Sequence, residues 1–158
     1  MGNEFLDIAR AAEDLHFKYV EQFLVALVPM IFTVILHGLG MGTVTRIYNG
    51  FVPASVAGPK KGPSMGLLVL IVAIMLGTHF LEIIVWAAFF IMTGMLHDIN
   101  AAMFYSMNNY STLGASDITL AAKWKGLAGF EAMTAMLMFG WSTAMLATIV
   151  QKMHRLND

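Results

Sequence analysis

Three long apolar runs dominate this chain and leave it little choice of fold. They cover residues 19–47, 65–96 and 127–150. Each exceeds the ~20 residues an α-helix needs to cross a hydrocarbon layer of ~30 Å. In lipid the backbone must satisfy its own hydrogen bonds, so such runs fold as helices. Charged residues make up only 12% of the 158 residues, and mean hydropathy is +0.71, far from the composition of soluble domains. The expected class is therefore an all-α membrane protein with three transmembrane helices. Cysteine is absent, which excludes disulfides, thiolate metal sites and cysteine nucleophiles. A net charge of −1 gives no electrostatic basis for binding nucleic acid. No carboxylate pair, hydrolase elbow or phosphate loop is present, so an enzyme is not expected.

Residues 1–18 carry Glu4, Asp7, Glu13 and Asp14 among Phe5, Ile8, Ala12 and Leu15 at helical spacing. This pattern predicts an amphipathic helix at the membrane surface, followed by one membrane domain over residues 19–158. The long first run and the acidic stretch before it argue against a cleaved signal peptide. Residues 49–64 contain Pro53, Pro59, Pro63, Gly58 and Gly62 and are expected to be irregular.

Between the second and third runs, Asp98 reads as the N-cap of a helix too short to span, and polar, small residues follow. A half-helix leading into extended polar backbone predicts a re-entrant segment over about residues 98–117, covered by protein or water.

The run AMFYSMNNYSTLGASD, residues 102–117, resembles the pore helix and selectivity filter of the potassium-channel (pore-loop) superfamily, whose usual filter reads T-T-x-G-Y-G-D. More narrowly, the chain resembles small bacterial ion channel family proteins with three spans. His79, Glu82, Ile83, Trp86 and Ala87 match one of their stretches, and Gly140, Trp141, Ser142, Thr143 and Ala144 match another. The resemblance implies that Thr112, Leu113 and Gly114 offer ion-coordinating carbonyls. Ala115 stands for the filter tyrosine, Ser116 for the second glycine, and Asp117 for the closing aspartate. It implies a homotetrameric, potassium-channel-like pore in which carbonyl rings replace the hydration shell of a monovalent cation. With TLGASD as the filter, K⁺ selectivity is expected to be reduced, and Ser116 is expected to be strained if its position demands positive φ. The alternative is a non-conducting structural or accessory subunit of a larger membrane complex. K⁺ or Na⁺ are the implied permeant ions, with no resident cofactor.

A filter entering from outside implies a bacterial cytoplasmic (inner) membrane location with the N-terminus outside and the C-terminus cytoplasmic. Lysine and arginine number five (Arg46, Lys60, Lys61, Lys152, Arg155) in the inner pieces against four in the outer ones, in weak agreement.

His37 lies 17 residues below Val20, and His79 lies 17 residues below Leu96, so both fall at one depth, with Glu82 a turn from His79 on the same face. Ionisable groups inside a span mark a site. Three readings stay open: hydrogen bonds tying the first two spans, a protonation-sensitive switch, and a haem or metal held by His37 and His79, the last unsupported by any further His or Cys pattern. Glu131 is expected to satisfy polar groups behind the filter, such as Asn108 or Asn109. Gly140 is either a gating hinge or a packing contact.

Overall fold

The computed structural model describes residues 2–56 and 65–155, with side chains described over 17–51 and 65–155. It is an all-α membrane protein: α1 (Gly2–Val56), α2 (Met65–Met92), α3 (Ile99–Tyr110) and α4 (Leu127–Arg155). The first, second and fourth helices are long and apolar enough to cross a membrane.

Helix α1 departs from the sequence expectation at both ends. Residues 2–18 form no separate surface helix; they continue without a break into the first apolar run. At the other end the helix continues through Asn49 and Pro53 to Val56, although residues 49–64 were expected to be irregular. Proline cannot donate a helical hydrogen bond, but at Pro53 only the last turn loses one. Residues 57–64, the rest of that link, lie outside the described residues.

Helix α2 stops at Met92, four residues short of the end of its apolar run. Gly94 takes a φ of 69°, its N–H reaches the Ile91 carbonyl at 3.0 Å, and the Met95 N–H reaches the Phe90 carbonyl at 3.0 Å. That pair of bonds around a left-handed residue is a Schellman ending, which caps the last carbonyls and turns the chain. Asp98 then starts α3: its backbone is extended and its Oδ2 accepts from the Ala101 N–H at 2.7 Å.

Contacts near both ends fix the helix directions. The Glu21 carboxylate lies 2.6 Å from Lys123 Nζ, and the Phe23 ring packs on Phe130 at 5.6 Å. At the far end Lys152 Nζ sits 6.0 Å over the Tyr48 ring. Thus α1 and α4 run in the same direction and α2 runs against both. Helices α2 and α4 touch each other only slightly and are bridged by α1 and α3.

Two apolar cores result. One, toward α3, gathers Ala26, Trp86, Phe90, Tyr105, Leu127 and Ala135. The other, at the opposite end, gathers Met41, Val44, Tyr48, Leu67, Ile71, Met75 and Ile149. Between them α1 and α2 come so close that a Cβ on Gly40 would stand 2.6 Å from Thr78 Cγ2. The outward faces carry large apolar side chains such as Phe32, Leu39, Leu76 and Leu137, as lipid or further protein requires.

Candidate functional site

The layer between the two cores is polar. His37 from α1 and Glu82 from α2 are fully buried, and His79 is 9% exposed. Glu82 Oε1 lies 2.8 Å from His37 Nδ1, and Oε2 lies 3.2 Å from His79 Nδ1. The Tyr110 hydroxyl, from the last residue of α3, donates to Glu82 Oε2 and lies 3.1 Å from His79 Nδ1. On the far side of both rings stands Ser142 of α4, whose Oγ is 3.0 Å from His79 Nε2 and 3.4 Å from His37 Nε2. The imidazole centroids are 5.3 Å apart, with Trp141 packed on His37 and Phe139 on His79 at 5.1 and 4.7 Å. Every helix of the chain therefore contributes a group to one cluster. Burying these groups is tolerable because each has a hydrogen-bonding neighbour within the cluster.

The loop after α3 begins with a second Schellman ending. The Thr112 N–H bonds the Asn109 carbonyl at 2.9 Å, and the N–H groups of Leu113 and Gly114 bond the Asn108 carbonyl at 3.0 and 3.1 Å. In this ending Thr112 holds the place that Gly94 holds after α2, with φ 60°. A β-branched residue there is strained by ~1–2 kcal/mol. Among the described residues Thr112 is the only non-glycine with positive φ, so the condition for strain at Ser116 is not met. Ser116 Oγ instead accepts from the Ile118 N–H at 3.1 Å, a local turn bond open to ordinary backbone angles. Gly114, at φ 64°, needs its missing side chain.

These bonds have a directional consequence. In a planar trans peptide the C=O points opposite the following N–H. Because the N–H groups of 112, 113 and 114 are turned back onto α3, the carbonyls of Ser111, Thr112 and Leu113 are aimed away from it. Residues 111–115 and Asp117 are exposed on this single chain.

Behind the loop, Glu131 of α4 is fully buried. Its bonded partner is Ser106 of α3, with Asn109, one of the expected partners, beside the same side chain. Ser106 Oγ also lies 3.0 Å from the Ile83 carbonyl, so one hydroxyl links α2, α3 and α4. The Asn108 side chain turns back to donate to its own helix, at the Phe104 carbonyl, 2.8 Å away. Asn109 is buried, and its Nδ2 and Glu131 Oε2 have no hydrogen-bond partner. Gly140 lies in unbroken helix, and a Cβ there would meet open space, so it makes no close packing contact within the chain.

Sequence reasoning missed Tyr110, Ser142 and Ser106 as members of these clusters. Ser142 lay in the quoted Gly140–Ala144 stretch and Tyr110 at the foot of the short helix. Their partners become visible only once four helices are packed.

Comparison with curated proteins and with solved structures finds no match. Residues 78–152 match the model of a family described as ion channel. The match covers just under half of the chain, from the polar layer of α2 through α3 and its loop to the last turn of α4, and this segment of an integral membrane protein is ion-channel-like.

Proposed function

We propose that the chain is one subunit of a homotetrameric, potassium-channel-like pore that passes monovalent cations with reduced K⁺ selectivity. The observation that carries this reading is the loop after α3, where three successive carbonyls are turned away from the helix beside the exposed residues of a single chain. Carbonyls presented in rings can replace the hydration shell of a cation, but one loop supplies only a part of each ring, hence the oligomer. The inner coordination falls to Thr112, Leu113 and Gly114. At Ala115 no aromatic ring braces the outer loop, and Ser116 spends its hydroxyl on a local turn, which leaves the outer sites wide or hydrated. The polar cluster and the Ser106–Glu131 bond hold α3 in place behind the loop.

The outer loop also favours a second reading, a non-conducting accessory subunit of a larger membrane complex, because Ala115 and Ser116 depart from the filter pattern side by side. Purification in detergent separates the two: a fourfold particle supports the pore, and a chain recovered only with other subunits supports the accessory role. In the proposed arrangement the loop and the start of α1 face outward, and Arg46, Lys152 and Arg155 face the cytoplasm of a bacterial cell.

A further inference from the structure

We propose that the cluster at the centre of the bundle is a binding site for a divalent transition-metal ion of the Zn²⁺ class, held by His37, His79 and Glu82 with Tyr110 as the fourth ligand. This assignment is independent of whether the chain conducts.

The first argument is geometric. One ligand atom each from His37, His79 and Glu82 falls within 4.8 Å of the others. Both Nδ1 atoms and the Tyr110 oxygen converge on the Glu82 carboxylate. Tetrahedral Zn²⁺ with bonds of ~2.0–2.2 Å sets its ligand atoms ~3.3–3.5 Å apart, so the separations of 2.8 to 3.2 Å open slightly, while Tyr110 must give up its direct hydrogen bond to Glu82 and stand back from it. Two imidazoles with carboxylate and phenol oxygens form a borderline-hard set that suits this class of ion.

The second argument is a proton inventory. With Glu82 ionised and both rings neutral, His37, His79, Tyr110 and Ser142 bring one proton each. Glu82 accepts from His37 Nδ1 and from Tyr110. The Ser142 hydroxyl then serves His37 Nε2 and accepts from His79 Nε2. His79 Nδ1 is left as a lone pair against two oxygens, at 3.2 and 3.1 Å, neither with a proton to give it. The other tautomer of His79 moves the deficit to Ser142, whose single proton cannot serve two Nε2 atoms. The cluster lacks one positive centre. An ion at the two Nδ1 atoms removes the deficit at its source. Both Nε2 atoms then carry hydrogen, and Ser142 Oγ, standing between them, accepts from each. A hydroxyl that orients two ligating rings from behind is the outer support that histidine metal sites use. The Glu82 carboxylate and a Tyr110 phenolate would balance the charge of the ion.

There is also a way in. An open groove of ≈ 480 Å³ is lined by His79, Ile83, Tyr110, Leu113, Ala115 and Phe139, so the cluster is reached from the loop side.

The test uses the full chain in detergent, stripped with chelator and titrated with Zn²⁺ and, separately, Co²⁺. One ion per chain should survive gel filtration, thermal stability should rise with added Zn²⁺, and Co²⁺ should give the visible bands of four-coordination. Ser142→Ala should weaken binding by ~10–100-fold. His79→Leu should abolish it, and His97→Gln, changing an exposed histidine outside the cluster, should not alter it. If His79→Leu fails to fold, His37→Gln and Ser142→Ala carry the test. Absence of retained metal, or retention unchanged by the cluster variants, overturns the assignment. Stability that follows pH and ignores Zn²⁺ also overturns it, and leaves a proton as the missing charge.

Discussion

Thr112 and Gly94 occupy the same place in two copies of one helix ending, and only one of them is glycine. The left-handed angle is nearly free to Gly94 and strains Thr112, whose Cβ and methyl crowd the backbone. Thr112→Gly should therefore stabilise the folded chain by about 0.5–1 kcal/mol, the strain less the entropy that glycine adds to the unfolded state. Thermal unfolding in detergent would show it, and an unchanged midpoint would mean that the threonine is unstrained. The same substitution removes the hydroxyl at the proposed innermost ion site, so stability should rise while any conductance falls. Gly40 presents the opposite case. Its Cβ position is occupied by Thr78, so Gly40→Ala should destabilise by about 1–3 kcal/mol, and adding Thr78→Ala should recover most of the loss. Gly140→Ala, pointing into open space in the middle of α4, should stabilise the single chain by about 0.5–1 kcal/mol, and an altered open probability would then identify Gly140 as a hinge.

At the scale of elements, α3 is the short piece that must be held. Ser106 fastens its middle to the Ile83 carbonyl and Glu131, and Tyr110 fastens its end to Glu82. Ser106→Ala should cost about 1–3 kcal/mol, because it leaves the buried carboxyl group of Glu131 without its bonded partner. Loss of protease protection confined to residues 98–117 would show that α3 is what loosens. His79→Leu should weaken the joining of the first two spans by about 0.6–2 kcal/mol, as for interhelical polar contacts. Much of this architecture could be read from the residues themselves. Apolar runs longer than a bilayer demand helices, Asp98 announces the start of α3, and helical rise puts His37 and His79 at one depth. The errors share a cause: local signals were trusted where packing or position decides. The proline-rich link was taken to end regular structure at Asn49, yet Pro53 lies within α1. Asn108 and Asn109 were named as partners of Glu131 for their polarity; Asn109 does lie beside it, but the bond is made by Ser106, whose place on α3 faces it. Strain at Ser116 depended on a positive φ there, and that angle falls where the helix ending puts it, at Thr112.

For the whole molecule, the decisive quantity is what the loop selects. Replacing Ala115 by Tyr and Ser116 by Gly together should raise K⁺ over Na⁺ selectivity in bilayer recordings, while either change alone should do little, since the two shape one turn. Strong selectivity in the unmodified chain would show that the outer positions matter less than argued. Silence in both forms, from a chain held tightly by other subunits, would favour the accessory role. One more property belongs to this scale. The channel-like segment begins at Thr78, but the group bonded to Oε1 of its buried Glu82 is His37, on a helix outside that segment. A two-span pore unit lifted out and expressed alone would keep Tyr110 against Glu82 Oε2 but leave Oε1 in hydrocarbon without its partner. The leading helix is thus a resident chaperone for its neighbour, and transplanting the pore elsewhere would require carrying it along or erasing the acid.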